Sequence, residues 1–597
     1  MQPLRRPSAK CTSWICASCR SRLSRPWIIS REFAQSSRRC AKPQLPDSPA
    51  RTRFAPSPTG NLHLGSIRTA LFNYLLAKRT GGQFLLRIED TDQKRTVPGA
   101  EERLFRDLRW AGLQWDEGPE AGGSRGPYRQ SERLPLYNTH VRKLLTNGAA
   151  YRCFCSGGRI DKLNKLRHEK GLPLGYDRTC ADLPLEQAQD KATKGESHVV
   201  RFRVPEHYPM YNDLVFGKSG HGAGKNLKNL ADEPVFDDPV LVKSDGFPTY
   251  HLANVIDDRL MEITHVIRGS EWMSSTPLHV ALYNAFDWVP PLYGHVPLLV
   301  DSNGQKLSKR NFDSDVASFR NRGIFPEALT NFAALLGWSH QQKSDIMDLK
   351  QLEEVFNLKI TKGNTIVAFE KLNFLQEQHA WRRRRGKQGQ TRFDAVLSEV
   401  SGTLRERYGS ELKTFLGGRD LGTVVAALLD VRSIAYRNAS QFVDDLELFF
   451  TTIALDKRIL VTEVVPEVEL LSDVRILVST LSTIPATHWT QQYIHAHLKQ
   501  LNFTPSKQGM NAALVRTRMW KFLRWAVLGG VPGPDMSHSL FILGRERSLE
   551  RIQDAVLLAH SADMARTRAR VDVKIDPPKE KKWQAHGMSA EQVVRVK

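Results

Sequence analysis

The segment 52–95 constrains this chain most. It reads TRFAPSPTGNLHLGSIRTALFNYLLAKRTGGQFLLRIEDTDQKR. Residues 52–55 are a short apolar run of strand character, stopped by Pro56 and Pro58, which have no N–H to give to a ladder. Thr59-Gly60-Asn61 is turn chemistry. Over residues 64–78, Ile67, Leu71 and Leu75 fall on one stripe with Ala70 and Tyr74 beside it, so a helix is predicted. Gly81-Gly82 ends it. Residues 83–88 form a second strand, closed by Glu89-Asp90-Thr91-Asp92. Strand, loop, helix and strand in that order open a doubly wound parallel sheet.

The loop after the first strand carries the chemistry of such a sheet. A helix N-terminus offers free N–H groups and partial positive charge, which suits a polyphosphate. His63 can donate a hydrogen bond to a phosphate there. Gly65 has no Cβ, so a flat base can lie against its backbone. Taken alone, His63 reads as a surface turn histidine. The whole string PSPTGNLHLG, however, resembles the nucleotide-binding motif of class I aminoacyl-tRNA synthetases, in the form used by glutamyl-tRNA synthetases. Lys306-Leu307-Ser308-Lys309-Arg310 resembles the second motif of that class, and the similarity runs through residues 51–555. The resemblance implies a Rossmann-like α/β catalytic domain with an α+β insertion, followed by an all-α anticodon-binding domain.

The 597 residues leave room for several domains, and the net charge of +22 points to a polyanionic partner. No apolar run reaches the ~18 residues that a bilayer span needs. Part of the charge belongs to the N-terminal arm, where residues 1–50 hold ten Lys and Arg against Glu32 and Asp47. An arm rich in Arg and Ser and poor in acids predicts an organellar transit peptide over residues 1–48, with the mitochondrial matrix as destination. The alternative is a basic arm that binds RNA. Four of the seven cysteines lie here: Cys11, Cys16, Cys19 and Cys40. Cys16-x-x-Cys19 has no second half of a metal site, and no disulfide framework is implied.

Helix patterns at 98–113 and 134–147 and a strand at 149–154 complete the first half of the nucleotide fold, 49–154. The alternation breaks at 155. Residues 155–235 hold a basic helix (159–170), a strand (199–204) and a loose Gly/Lys-rich stretch (217–228). They read as an insertion, which the resemblance implies holds the acceptor end of a tRNA. The fold resumes over 236–312: a strand at 239–243, the turn Asp245-Gly246, a strand at 263–268 followed by Gly269-Ser270-Glu271-Trp272, and a helix at 274–286. Residues 297–300 then lead into the turn Asp301-Ser302-Asn303-Gly304, which presents the lysine motif. Residues 313–385 are helical (326–336, 349–356, 368–378) and end in a basic hinge at 381–386. Five helix patterns, at 393–408, 421–436, 468–481, 490–501 and 510–527, mark 386–564 as the anticodon-binding part by resemblance. Residues 565–597 lack apolar periodicity and read as a disordered basic tail.

By resemblance the substrates are ATP with Mg2+, L-glutamate and tRNA for glutamate, with tRNA for glutamine as the alternative second partner. A monomer with no membrane partner is expected. Transfer at phosphorus needs positioning and charge neutralisation more than a nucleophilic side chain. His63, Lys306 and Lys309 are the candidate catalytic residues, Lys309 stabilising charge in the transition state. Gly65, Glu271 and Ser308 join them in the ATP site, and Trp272 falls beside it. A side-chain carboxylate calls for a guanidinium, whose fork matches two oxygens. Arg53 and Arg268 match the family's arginines for the γ-carboxylate of glutamate, Glu89 its holder of the α-amino group, and Ala55, Ser57, Tyr250 and Asn254 the pocket around them. The glutaminyl branch carries P-E-P-N-G where this chain has P-S-P-T-G, which argues against it.

Cys153-x-Cys155 places two thiols on one side of a strand, and Cys180 follows after 24 intervening residues. Some bacterial members of the family have this spacing with a histidine two residues beyond the third cysteine, and bind zinc. Here that place is Asp182, which can ligate zinc less characteristically. The alternatives are a zinc site of Cys153, Cys155, Cys180 and Asp182, or three free thiols. Two further functional readings compete with an active tRNA-glutamylating enzyme. A relative that glutamylates a modified base would lack the helical region after Arg385. A catalytically dead RNA-binding protein would tolerate loss of His63, Lys309 or Glu89, and all three are present.

Overall fold

The computed structural model describes residues 45–172, 174–220, 236–307, 315–383, 389–431, 434–453, 468–501 and 512–572. Residues 1–44 of the arm, Ser308-Lys309-Arg310 of the lysine motif, 221–228 of the Gly/Lys-rich stretch, 384–386 of the hinge and the tail beyond Asp572 lie outside the described residues.

The opening unit is β1 (Arg51–Phe54), α1 (Leu64–Arg79) and β2 (Gln83–Leu86). Then come α2 (Ala100–Trp110), α3 (Leu134–Thr146), β3 (Ala150–Cys153), α4 (Gly157–Glu169), α5 (Leu185–Thr193), β4 (Val199–Phe202), β5 (Tyr211–Asp213), β6 (Gly217–Ser219) and β7 (Val240–Val242). The second half holds α6 (Tyr250–Leu260), β8 (His265–Gly269), α7 (Thr276–Ala285), β9 (Leu292–Val296) and β10 (Leu299–Val300). Four strands make one parallel sheet in the order β2-β1-β8-β9. From β1 the chain first steps outward to β2, and later returns to β1's other edge as β8. That reversal is a topological switch point, and ligands of open α/β sheets bind outside the carboxyl ends of the strands at such a point.

The predicted stripe of α1 understates its burial. Ile67, Ala70, Leu71, Phe72, Leu75, Leu76 and Ala77 are all fully buried, because the helix is covered by the sheet on one side and by later helices on the other. A helix apolar on nearly all sides is a core helix. Its polar Asn73 is satisfied within that core: the amide donates to Thr69 and Ile267 carbonyls (both 2.8 Å) and the Thr52 hydroxyl donates to its carbonyl (2.8 Å), tying α1 to β1 and β8.

Two strands expected in the nucleotide fold lie elsewhere. β3 and β7 flank β4 in a separate antiparallel sheet, so the insertion's sheet reaches from Ala150 to Val242 rather than stopping at 155 and 235. A lone β4 would leave two open edges, and β3 and β7 close them. The loose stretch expected from 217 opens as strand β6, paired with β5. Sequence reasoning missed β9, whose Gly294 and His295 break the apolar pattern between flanking prolines, and assigned no element to α6.

Beyond the sheet lie α8 (Val316–Asn321), α9 (Pro326–Leu335), α10 (Leu349–Val355), β11 (Thr365–Ile366), α11 (Phe369–Arg383) and α12 (Gly389–Tyr408). Trp381, Arg382 and Arg383 continue α11 and are no hinge. Arg383 grips Glu327 through Nε (2.7 Å) and Nη2 (3.1 Å), and its guanidinium lies 3.5 Å from the centre of the Phe325 ring. The remaining helices (Glu411–Leu416, Leu421–Leu429, Ala439–Asp445, Glu447–Phe450, Val468–Ser482, Gln491–Gln500, Ala512–Leu528, Met536–Leu543, Arg545–Asp572) close around a second core that includes Phe442, Phe522 and Trp525. The helix expected over 421–436 stops at Leu429, where its stripe Leu421, Val424, Val425, Leu428 runs out. The final helix passes the expected start of the tail at 565 and reaches Asp572, since Ala-, Met- and Arg-rich sequence holds a helix without an apolar stripe. Among the described residues no helix is long and apolar enough to cross a membrane.

Candidate active site

A cavity of about 760 Å³ opens at the switch point. Its inner wall carries Arg53, Ala55, Glu89, Tyr250, Asn254 and Arg268, and its mouth Ser57, His63, Gly65, Glu271, Trp272 and Lys306. The sequence-selected residues that the structure describes therefore line one space, though they come from β1, the loop after it, the segment after β2, α6, β8 and its end, and the turn after β10. Ser308 and Lys309 lie outside the described residues.

The two arginines differ in kind. Arg53 is paired: its Nε lies 3.1 Å from Asp258 Oδ1 and its Nη2 3.3 Å from Oδ2. Asp258 also accepts from Arg87 Nη1 at 2.6 Å. Burial alone would raise the Asp258 pKa, but these two guanidinium groups hold it below the usual range. Asp257, on the same helix, takes Arg133 at 2.6 Å, Gln130 at 2.9 Å and the Tyr137 hydroxyl at 2.9 Å. Arg87 also donates to Glu89 at 3.1 Å. Three buried cations (Arg53, Arg87, Arg133) thus face three buried anions (Glu89, Asp257, Asp258).

Arg268 stands apart from this balance. It is 4% exposed, yet among the described residues it bonds only neutral acceptors: His295 Nε2 (3.2 Å), the Tyr250 hydroxyl (3.1 Å), His279 Nδ1 (3.4 Å), the Thr276 hydroxyl (2.8 Å) and the Trp272 carbonyl (3.4 Å). Burial and the nearby Arg268 charge push His279 well below its ordinary pKa and His251 down to about 4. These rings are neutral and offer lone pairs rather than charge. A buried cation without a counter-anion is costly until an anion arrives.

Opposite it, Glu89 has the complementary deficit. One oxygen accepts from Arg87 and from Asn254 Nδ2 (2.9 Å). Burial outweighs Arg87, Arg53 and Asn254, and raises the carboxyl above its usual pKa. Asn254 Oδ1 is buried with no hydrogen-bond partner among the described residues. An acceptor-rich corner of this kind suits a cationic donor.

At the mouth, His63 is the N-cap of α1. Its Nδ1 accepts the N–H groups of Gly65 (3.1 Å) and Ser66 (3.3 Å), and its Nε2 lies 2.9 Å from the Ser66 hydroxyl. Two of the backbone donors expected to be free for a phosphate are therefore taken by the imidazole itself, and the ring's remaining proton is on Nε2. A Cβ at Gly65 would sit 3.1 Å from His63 Cε1, so glycine here makes room for the histidine ring as well as for a ligand. Trp272 packs its ring 4.4 Å from that of Tyr250, and Glu271 is exposed beside it. Lys306 follows a turn built on Asp301, whose Oδ1 accepts the N–H groups of Asn303 and Gln305 (both 2.9 Å), with Gly304 at φ +75°.

Sequence reasoning gave no role to Arg87, Asp257, Asp258, His279 or His295. A helical-face reading would have found two of them, since Tyr250, Asn254, Asp257 and Asp258 fall at i, i+4, i+7 and i+8. Arg87 lies two residues before Glu89 on one strand edge, which places both on the same side.

In the insertion the Sγ atoms of Cys153, Cys155 and Cys180 lie within 4.8 Å of one another. Asp182 is not among them. Its side chain is 93% exposed and reaches Arg203 at 3.7 Å. The hydroxyl of Tyr176 takes the central place instead, 3.3 Å from Cys153 Sγ and 3.4 Å from Cys155 Sγ.

A family model described as tRNA synthetases class I (E and Q), catalytic domain, matches residues 49–374, and one described as anticodon binding domain matches residues 423–556. The mitochondrial glutamate–tRNA ligase of Schizosaccharomyces pombe is 38% identical over 547 residues, 90% of this chain and 97% of its own length. The glutamate–tRNA ligase of Borrelia duttonii is 37% identical over 507 residues, 85% of this chain and 95% of that one. A crystal structure of a glutamate tRNA ligase from Elizabethkingia meningosepticum, in complex with its amino acid, superposes with a TM-score of 0.67 at 30% identity, covering 85% of this chain and 99% of that one. A parallel sheet with its cavity at the switch point, followed by a helical bundle, is the architecture these matches share with it, and the chain belongs to the glutamate–tRNA ligase family of class I tRNA synthetases.

Proposed function

We infer that this chain is a glutamate–tRNA ligase acting in mitochondria. An α-carboxylate oxygen of glutamate attacks the α-phosphorus of ATP, supplied with Mg2+, and pyrophosphate leaves. A ribose hydroxyl of the tRNA's terminal adenosine then attacks the adenylate carbonyl, and AMP leaves. The observation that carries the amino-acid side of this reading is the pair of opposite deficits across the cavity. Arg268, with neutral acceptors only, takes the side-chain carboxylate together with Arg53, whose Nη1 has no partner among the described residues. Glu89 and Asn254 take the α-ammonium group, whose charge favours the ionised form of the Glu89 carboxyl that burial disfavours. Tyr250, Ala55 and Ser57 shape the space between.

On the ATP side, His63 Nε2–H, Lys306 and Lys309 neutralise charge that shifts between phosphorus and the leaving pyrophosphate. Gly65 leaves room for the base, and Glu271 and Ser308 flank it. The test is ATP–pyrophosphate exchange with tRNA present. His63→Ala and Lys309→Ala should each cost roughly 2–4 kcal/mol of transition-state stabilisation, the scale of a deleted oxyanion donor. Near-normal exchange by folded variants would count against both roles.

The insertion holds the acceptor end of tRNA for glutamate, the helices from 386 to 564 read the anticodon, and the protein works as a monomer. The arm over 1–48 carries the chain to the matrix. A reporter fused to it should enter mitochondria and lose the arm there, and a reporter that stays cytosolic would refute this.

The three thiols suit a structural zinc ion. Zn–S bonds of 2.3 Å in a tetrahedron bring sulfurs about 3.8 Å apart, and Cys155 and Cys180 Sγ already lie 3.6 Å apart. Tyr176, not Asp182, would supply the fourth ligand, an oxygen. Elemental analysis should find one zinc per chain, and a chelator should lower the melting temperature. A metal-free preparation with unchanged melting would leave three free thiols as the answer.

A further inference from the structure

The hairpin β5–β6 belongs to the insertion, yet it docks on the nucleotide fold beside β9. Leu214 N–H donates to the Tyr293 carbonyl at 2.8 Å. This seats the Asp213 carboxylate, 2% exposed, against His295, which is fully buried. The two oxygens of Asp213 do different work. Oδ1 accepts backbone N–H groups from Val215 and Phe216 (both 2.9 Å) and from His295 (3.3 Å). Oδ2 accepts the His295 ring Nδ1–H at 2.5 Å.

Burial outweighs the Asp213 bond and keeps the His295 pKa below its ordinary value, so the ring is neutral. A neutral imidazole has one donor and one acceptor nitrogen. With the proton held on Nδ1, Nε2 must accept, and it receives Arg268 Nε–H at 3.2 Å. No other described residue bonds Arg268 Nε. We propose that Asp213 and His295 are positioning residues for glutamate recognition: Asp213 fixes the tautomer of His295, and His295 fixes the plane of the Arg268 guanidinium that faces the cavity. This rests on the reading of Arg268 as a ligand of the substrate carboxylate.

Asp213→Asn tests it because the surrounding N–H groups dictate how the new amide sits. Three backbone donors keep the amide oxygen in the Oδ1 place, so the NH2 group must face His295 Nδ1. That nitrogen must then accept, and the proton moves to Nε2. There it opposes Arg268 Nε–H, donor against donor, with only the Thr276 hydroxyl, 3.1 Å away, able to take it. The fold keeps its shape and volume, while the guanidinium loses its anchor.

Charging assays with tRNA present should show the KM for glutamate raised roughly ten- to a hundredfold, the scale of a lost charge-assisted hydrogen bond. The KM for ATP should stay within about twofold, since Asp213 and His295 bond none of the residues assigned to the ATP site. A merely structural loss would lower the melting temperature and spread to ATP as well. Arg268→Lys, measured in parallel, separates the two levels of the argument. A raised glutamate KM in Arg268→Lys beside an unchanged one in Asp213→Asn would overturn the positioning role alone. An unchanged value in Arg268→Lys would overturn the reading of Arg268, and the positioning role with it.

Discussion

Arg268→Gln should cut kcat/KM for glutamate by about a hundredfold or more while the protein melts at the same temperature or higher. The two halves of this result have one cause. The guanidinium is buried among neutral acceptors, and an isolated buried charge is costly to the fold. Replacing it with a neutral amide relieves that cost. Substrate binding suffers in proportion, because two charge-assisted hydrogen bonds to a carboxylate are lost at about 1.5–3 kcal/mol each. A binding site that holds an unpaired charge trades stability for function in this way. Glutamine should gain on glutamate in the variant, since the neutral amide of the ligand no longer meets an unsatisfied cation. Thermal melting beside steady-state charging checks both halves. A large fall in melting temperature would mean that Arg268 supports the fold and that its activity loss is indirect.

Asp258→Ala should do the reverse and strike the fold first. It strands Arg53 and leaves Arg87 with Glu89 and a distant Asp257 Oδ2 at 3.8 Å. Removing one partner of a buried ion pair costs about 3–5 kcal/mol. Denaturant unfolding should show that loss with no substrate present, and Asp258→Asn should recover part of it by still accepting a hydrogen bond. Equal stability of Asp258→Ala and the parent would mean that water reaches these guanidinium groups. The same cluster complicates Arg53 as a specificity probe: Arg53→Gln disturbs Asp258 as well as the cavity, whereas Arg268 can be changed without breaking an ion pair.

Sequence alone reached the opening β1-α1-β2 unit, because Pro56, Pro58 and Gly81-Gly82 punctuate it and periodicity fills the rest. It reached the helical second half for the same reason. It placed β3 and β7 in the wrong sheet, since a strand's pattern records which face is buried and not which strand lies alongside. β9 escaped because Gly294 and His295 stand where a strand usually carries apolar residues; His295 is there to meet Asp213 and Arg268. In the site, the ligand-facing residues could be picked out by resemblance, but their partners could not. Arg53 and Arg268 look alike in sequence, and only the position of Asp258, which pairs with Arg53 and not with Arg268, tells the ion-paired cation from the other. Asp182 was selected by its distance along the chain from Cys180, while Tyr176 was brought to the sulfurs by the loop's path.

Helix α9 has a consequence for how the chain can be divided. Phe325 at its start and Ala328 in its first turn belong to the core of the carboxyl-terminal bundle, while Leu329, Phe332 and Ala333 belong to the core of the nucleotide fold. Phe325 also stacks on Tyr436, their ring centres 5.7 Å apart, and Gln376 of α11 donates to the Arg437 carbonyl at 2.9 Å. The two cores thus share a party wall. A cut in the chain near residue 385 would not release a finished catalytic half; it would leave one side of that wall open to water. Melting on one side withdraws support from the other, so the protein should come apart in a single coupled step rather than as two modules failing at separate temperatures.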